Sequence, residues 1–317
     1  MTVYKRCKQG SFHRSKRMTR QDACCVVSLG DTLVLAAADG HSCACRAGYG
    51  ARIACAVAVR LLTGGIEPQG FAPALKEGFD RMVDKHLRRR PLTETELASL
   101  KGADPLQAYG STLLAALCTP ESVTVFQIGD GEIHLLDEEG AFLPPLPEDP
   151  HCVGTATSSL CYPKEEAVAH LRWAQYPSAA ALLLATDGFR HRLSRPYEAA
   201  QLLLTPEEER EASFRTLMDA CENGDDQTVL LAFSPEKAED EGFRSGLLRT
   251  LEGRQRELTI LLLRREESQL QSYMTTAGQT LDRLKEAGDT VGAEAFLQRV
   301  RPRAQRLQAV QAALAAL

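Results

Sequence analysis

"LVLAAADGHS", Leu33–Ser42, and "ALLLATDGFR", Ala181–Arg190, decide how this chain is read. Each is an apolar run of strand length that stops at an aspartate followed at once by glycine. Short apolar runs bounded by turn residues read as strands buried on both faces. Asp39 and Asp187 are therefore expected at strand ends, on the rim of a sheet. Gly40 and Gly188 would let the backbone turn there and approach a ligand closely. Other acidic residues repeat the placement. Asp22 in "RQDACCVV" and Asp225 and Asp226 in "NGDDQTVLLAF" directly precede strand-like runs, and Asp130 in "FQIGDGEIHLL" lies between two glycines at a strand junction. A single Asp-Gly is a common turn dipeptide, but five strand-rim positions indicate a site. Carboxylates gathered at one point repel one another unless a cation neutralises them. Ligation by oxygen alone selects hard ions such as magnesium or manganese. Two such ions about 4 Å apart can lower the pKa of a shared water and steady a phosphoryl group. That is the chemistry of phosphoester hydrolysis.

Outward from these runs, strand-like and helix-like segments alternate. "ACCVVSL" and "TLVLAAA" flank Gly30-Asp31, a hairpin signal. "GYGARIACAVAVRLL" reads as a buried helix, and Leu75, Phe79, Met82, Val83 and Leu87 recur at helical spacing. Thr93 and Glu96 in "LTETELASL" form a capping box. "STLLAALC", "SVTVFQIG" and "EIHLLDE" read as a three-stranded meander. "TPEEEREASFRTLMDAC" opens a helix, with Thr205 as cap and Pro206 in the first turn, and "DDQTVLLAF" is the last strand. Between them, Leu143 to Tyr176 is Pro-rich and irregular, a surface excursion near one end of the sheet. After Phe233 a charged linker, "SPEKAEDEG", leads into leucines at heptad-like spacing, Leu247 and Leu251 through Leu314. The expected organisation is a first domain over 1–235 and an appendage of two or three helices over 236–317.

Composition narrows the class. The 317 residues carry a formal charge of −5 and are 44% hydrophobic, an ordinary globular balance that gives no electrostatic case for nucleic acid. No run approaches a membrane span of roughly 20 apolar residues, and the basic N-terminus lacks the apolar core of a secretory signal. The ten cysteines show no C-x-x-C pair and read as reduced thiols, including those of "HSCAC". A cytoplasmic protein is expected. Lys5, Arg6, Lys8, Arg14, Lys16, Arg17 and Arg20 have no acid among them. They read either as a solvated basic arm or as a site for an anionic substrate.

The ordered motifs "R-x-x-x-x-D", "DGH", "GST", "GDG", "TDG" and "DDQT" resemble the metal-dependent serine/threonine protein phosphatases of type 2C in a compact bacterial form, over residues 10–235. The resemblance implies an α+β fold: a four-layer α-β-β-α sandwich of two mainly antiparallel sheets flanked by helices, here with a C-terminal helical appendage. It implies hydrolysis of phosphoserine and phosphothreonine in proteins by a metal-bridging water, with two Mn2+ or Mg2+ ions and a weaker third. By that resemblance Asp39 bridges the metals and the carbonyl of Gly40 helps hold the second. Asp187 and Asp225 complete the first metal's shell, Asp22 acts through metal-bound water, and Asp130 shares the third ion with Asp187. Arg17 matches the arginine that clamps the substrate phosphate.

His41 matches the histidine that protonates the leaving oxygen, an acid titrating near neutral pH suiting a poor alkoxide leaving group. His13, His86, His134, His151, His170 and His191 show no ligand spacing and read as ordinary surface or partly buried side chains. Ser111 has no nucleophile elbow around it and reads as packing near the site. Three departures stand out: Gly131-Glu132 replaces the family's Ser-Arg, Asp226 stands where asparagine is common, and the Leu143–Tyr176 excursion does not read like the family's usual flap. Expected partners are phosphorylated proteins, the targets of a Ser/Thr kinase, with no nucleic acid and no membrane. Residues 236–317 would make an oligomer or partner contact. The alternative is a catalytically weak, phosphatase-like binding module that engages a partner through those helices.

Overall fold

The computed structural model describes residues 1–152, 156–190, 195–221 and 224–317; His191 lies outside them. Among these residues nine strands form: β1 (Thr2–Lys8), β2 (Ala23–Leu29), β3 (Thr32–Ala38), β4 (Leu113–Cys118), β5 (Val123–Ile128), β6 (Glu132–Leu136), β7 (Arg172–Tyr176), β8 (Ala181–Ala185) and β9 (Gln227–Phe233). One sheet has the order β1-β9-β8-β6 and the other β2-β3-β4-β5-β7. All neighbouring strands are antiparallel. The sandwich with flanking helices is the architecture the motifs implied.

The continuous apolar character of β3 follows from its place between two layers. Side chains alternate across a strand. Leu33, Leu35 and Ala37 face the interior between the sheets, where Leu182 and Leu184 of β8 and Leu230 and Ala232 of β9 share their core. Val34, Ala36 and Ala38 face the opposite way, onto the helices Ala47–Thr63 and Pro68–Arg89 and their Ala51, Ala54, Ala58, Leu75 and Phe79. Phe71 stacks on Phe126 of β5 with ring centroids 4.0 Å apart; losing such a buried ring costs about 3–5 kcal/mol. Against the outer face of β1 and β9, the helix Glu207–Ala220 buries Phe214 and Met218. It also carries Arg210, 1% exposed, whose guanidinium lies 5.3 Å from the Phe233 ring.

Several local expectations are corrected. The three-strand meander holds for β4 and β5 only; β6 crosses to the other sheet and pairs with β8. The basic arm begins as a strand: Lys5, Arg6 and Lys8 belong to β1, and Arg6 meets Asp219 at 2.5 Å. The irregular excursion contains a helix, Lys164–His170, and ends in the edge strand β7. The charged linker contains a short helix, Pro235–Glu239, capped by Ser234. Thr205 donates no cap; Pro206 stands in that position. The Thr93–Glu96 capping box is formed as expected.

The chain divides into two compact units, Met1–Thr250 and Leu251–Leu317. The division falls inside the helix Glu241–Glu286, because its first turns bury Phe243 and Leu247 beside the turn at Gly140. The second unit is a helical hairpin, completed by the helix Thr290–Ala316. Its turn is closed by Asp289, whose Oδ1 accepts from the Gly292 N–H at 2.8 Å. Arg306 grips both oxygens of Glu266 at 2.7 and 2.9 Å, and Arg303 lies 4.1 Å from the Tyr273 ring. No helix among the described residues is long and apolar enough to cross a membrane.

Candidate active site

Strand direction explains why distant aspartates meet. Asp22 enters β2 and Asp39 leaves β3; the two strands are antiparallel with Ala23 opposite Ala38. In the other sheet Asp187 follows β8 and Asp225 precedes β9, with Ala185 opposite Val229. The two strand-end pairs come together across the sandwich. Burial first, then the charges of Asp22, Asp187 and Asp225, push the Asp39 carboxyl well above the usual carboxylate range. Burial likewise pushes Asp22, 1% exposed, up to about 7, against the lowering effect of hydrogen bonds with Asp39, Thr228 and Thr186.

The hydroxyl and backbone groups around these carboxylates fix them. Thr186 Oγ1 donates to Asp22 Oδ2 at 2.8 Å and accepts from the Thr228 N–H at 2.9 Å. The Asp39 N–H donates to Thr112 Oγ1 at 3.0 Å, and the Asp39 carbonyl accepts from Ser111 Oγ at 3.0 Å. Ser111, fully buried, is thus a positioning group for the strand end, as its packing assignment anticipated. Thr186, Thr112 and Thr228 carried no signal of their own beyond adjacency to the motif aspartates.

The glycines after Asp39 and Asp187 are explained by close backbone approach, not by a left-handed turn. A Cβ on Gly40 would stand 2.6 Å from the carbonyl carbon of Ala47, and one on Gly188 would stand 1.8 Å from the carbonyl oxygen of Asp226. Both distances are below any real carbon contact, so only glycine lets the helix start and β9 close around the cluster.

Asp226 serves the backbone. Its Oδ1 accepts from the Gly10 N–H at 2.8 Å, its Oδ2 from the Gln21 N–H at 2.5 Å, and His13 Nδ1 lies 2.9 Å from Oδ1. Two acceptor oxygens are needed, and asparagine offers one; this accounts for the departure at this position. The same contacts anchor the short helix Ser11–Ser15 and the turn after it, where Arg17 is exposed with a φ of 54°. A left-handed non-glycine residue costs on the order of 1–3 kcal/mol and persists only where its surroundings impose it. Here the Arg17 and Met18 N–H groups donate to Arg14 and His13 carbonyls at 3.1 and 2.9 Å.

His41 follows Gly40 and is held by its N–H to the Gly110 carbonyl at 3.0 Å. Its ring is largely enclosed: burial lowers its pKa from 6.5, and the charge of Asp130 opposes that shift. Asp130 thus belongs to the His41 flank of the site. Its Oδ1 accepts from Thr157 Oγ1 at 3.0 Å. A pocket of about 310 Å³ opens on that flank, lined by Asp130, Glu132, His134, Asp149, Cys152 and Arg172, not by the four-carboxylate cluster itself.

Asp22 Oδ1 and His41 Nε2 are both buried without a hydrogen-bond partner. An orphaned oxygen inside a set of crowded carboxylates is what a cation would satisfy, and the donor set is all oxygen, as magnesium and manganese require. The residues fit such ions.

A model of the family described as protein phosphatase 2C matches residues 9–233. The chain belongs to the protein phosphatase 2C family. None of the curated protein sequences matches it. Among solved structures, a bacterial serine phosphatase is similar, with 15% identity, a TM-score of 0.52, and coverage of 74% of this chain and 97% of that one. The serine/threonine phosphatase Stp1 from Staphylococcus aureus is similar at 13% identity and a TM-score of 0.51, covering 74% of this chain and 95% of that one. At such identities these structures share the fold.

Proposed function

We propose that this chain hydrolyses phosphoserine and phosphothreonine in proteins with the help of divalent manganese or magnesium. The observation that carries the reading is the convergence of Asp22, Asp39, Asp187 and Asp225, in which two hydrogen-bonded carboxyls are held far above their ordinary pKa with one buried oxygen unpartnered. Such a cluster is stable at neutral pH only with cations in it. Asp39, the Gly40 carbonyl, Asp187 and Asp225 would hold two ions, Asp22 would support them from behind, and Asp130 would hold a weaker third. When bound, the ions supply Lewis acidity and an activated water.

The chain's own residues do the rest. Arg17, exposed on a backbone-locked turn, would receive a phosphate through its planar guanidinium. His41 is the acid for the departing seryl or threonyl oxygen; its Nε2 has no competing partner and can point a proton at that oxygen. Burial favours its neutral form, and Asp130 pulls the proton back onto the ring. The chain is inferred to act in the cytoplasm, a reading that rests on the sequence, whose cysteines form no C-x-x-C pair. The substrates are inferred to be targets of a Ser/Thr kinase. The hairpin Leu251–Leu317, with Leu261, Leu262 and Leu297 exposed, is inferred to contact a partner or a second copy.

The test is hydrolysis of a phosphothreonine peptide with Mn2+ by the native protein and by Asp39→Asn. Turnover is expected in the first and a loss of more than about a hundredfold in the second, since even outer-sphere partners of a metal are worth 10–100-fold. Equal rates would refute the metal assignment. No turnover in either would support a binding module.

A further inference from the structure

The excursion between β6 and β7 contains a cluster that sequence spacing concealed. Glu166 and His170 are four residues apart on the helix Lys164–His170, hence on one face. His151 reaches the same point from the preceding loop. One ligand atom of each of these three side chains lies within 4.8 Å of the others, and the two imidazoles stand edge to face with centroids 4.5 Å apart. His151 is exposed and His170 partly buried, as expected; their proximity is what the sequence did not show.

Behind the cluster stands Asp149, 6% exposed. It accepts from Ser158 Oγ at 2.6 Å and from the His151 N–H at 3.0 Å. His170 Nδ1 lies 3.0 Å from its Oδ1 and donates to that carboxylate oxygen. That fixes the tautomer and leaves Nε2 of His170 with a free lone pair. A carboxylate behind an imidazole is the arrangement that orients metal-binding histidines.

We propose that His151, Glu166 and His170 form a second metal site, selective for zinc, that pins the excursion in place. Two imidazoles and one carboxylate make a donor set that suits zinc and is poor for magnesium. A tetrahedron with bonds of about 2.0–2.1 Å has edges near 3.4 Å, so each side chain closes in by about an ångström. His151 is exposed and free to do so. The consequence reaches the active site. Asp149 Oδ2 accepts from Ser158 Oγ at 2.6 Å, and the neighbouring Thr157 donates to Asp130 at 3.0 Å while its carbonyl is held by Tyr162 at 2.9 Å. Zinc at this site orders the segment that touches Asp130. The proposal does not depend on the phosphatase reading.

The experiment titrates the full chain with Zn2+ in saturating Mg2+ and records the visible spectrum with Co2+ as a substitute. One zinc per chain is expected, and it persists in Asp39→Asn, which disables the carboxylate cluster. It is lost in His170→Ala and in His151→Ala, and weakened by about 10–100-fold in Asp149→Asn. Cobalt gives the intense bands of a four-coordinate nitrogen-containing site, which an all-oxygen six-coordinate cluster does not. Because His151 is on the surface, its variant keeps the native circular dichroism and metal-free Tm, so loss of zinc there is not unfolding. Zinc binding unchanged in both histidine variants, zinc lost with Asp39→Asn, only weak six-coordinate cobalt bands, or no zinc beyond the cluster would each overturn the proposal.

Discussion

Stripping the metal from this protein should make it less stable as the solution becomes more alkaline, and the magnitude follows from Asp22. Its carboxyl has an ordinary pKa of 3.8 and is pushed up to about 7 in the metal-free fold. A carboxyl that binds its proton more tightly when folded contributes fully below the unfolded pKa. That contribution is lost as pH rises through the folded pKa. The loss between pH 4 and pH 8 is of the order of 4 kcal/mol, equivalent to a fall in Tm of the order of 10 °C for a domain of this size. Asp39, raised in the same direction, adds to the decline; His41, whose pKa is lowered, acts against it. With saturating Mn2+ the carboxylates are ionised by their ligand, and binding strengthens as protons become scarcer. The gap in Tm between the metal-loaded and chelator-treated protein should therefore widen from pH 5 to pH 8. Asp22→Asn removes one charge and the second-largest cause of the Asp39 shift, so the metal-free decline should shrink by more than half. Differential scanning fluorimetry at four pH values, with Mn2+ or chelator, measures all of this. A metal-free Tm that is flat or rises over that range, or an Asp22→Asn protein that declines as steeply as the native one, would refute the reasoning.

Other perturbations test separate links. His41→Ala should slow a phosphothreonine peptide by about 10²-fold or more while barely slowing an aryl phosphate, whose leaving group needs little protonation; equal slowing removes His41 from the acid role. Gly188→Ala should drive a methyl into the Asp226 carbonyl and displace Asp187, read as a weakened Mn2+ Kd by calorimetry, and an unchanged Kd would contradict the close-approach argument. Arg46 is 9% exposed and bonds both oxygens of Glu96 at 2.8 Å, the Tyr109 hydroxyl at 2.9 Å and the Pro91 carbonyl at 2.8 Å. Arg46→Ala leaves those groups short of a donor and should cost about 3 kcal/mol in urea unfolding; a loss under about 1 kcal/mol would mean water replaces it.

What could be read in advance was local in the chain. The strands β3, β8 and β9 announce themselves because both faces are covered, and beyond the polar residues that open β3 and β9 every position is apolar. The capping box at Thr93 is legible because its partners are three residues apart. The destination of β6 was not, since a strand's composition does not say which sheet it joins, and a turn at Gly129–Gly131 serves either course. The Lys164–His170 helix was masked by the prolines before it. With it went the Glu166–His170 spacing, which means nothing until the segment is known to be helical. Arg46 and Glu96 are fifty residues apart, and nothing in either neighbourhood points to the other.

The carboxylates are the exception, long-range yet legible, and strand direction is the reason. Antiparallel neighbours run in opposite senses, so residues gathered at one end of a sheet must precede one strand and follow the next. Asp22 precedes β2 and Asp39 follows β3; Asp130 precedes β6, Asp187 follows β8 and Asp225 precedes β9. Across each of the pairs β2–β3, β6–β8 and β8–β9 the placement alternates as antiparallel pairing demands. Had one aspartate stood at the other end of its strand, it would lie a strand length away, five to seven residues at about 3.4 Å each. No side chain spans that distance to a shared cation. The alternation is therefore a geometric condition on the proposed metal site that the amino-acid order already meets, and the cluster of raised carboxyls is what results when the sheets close.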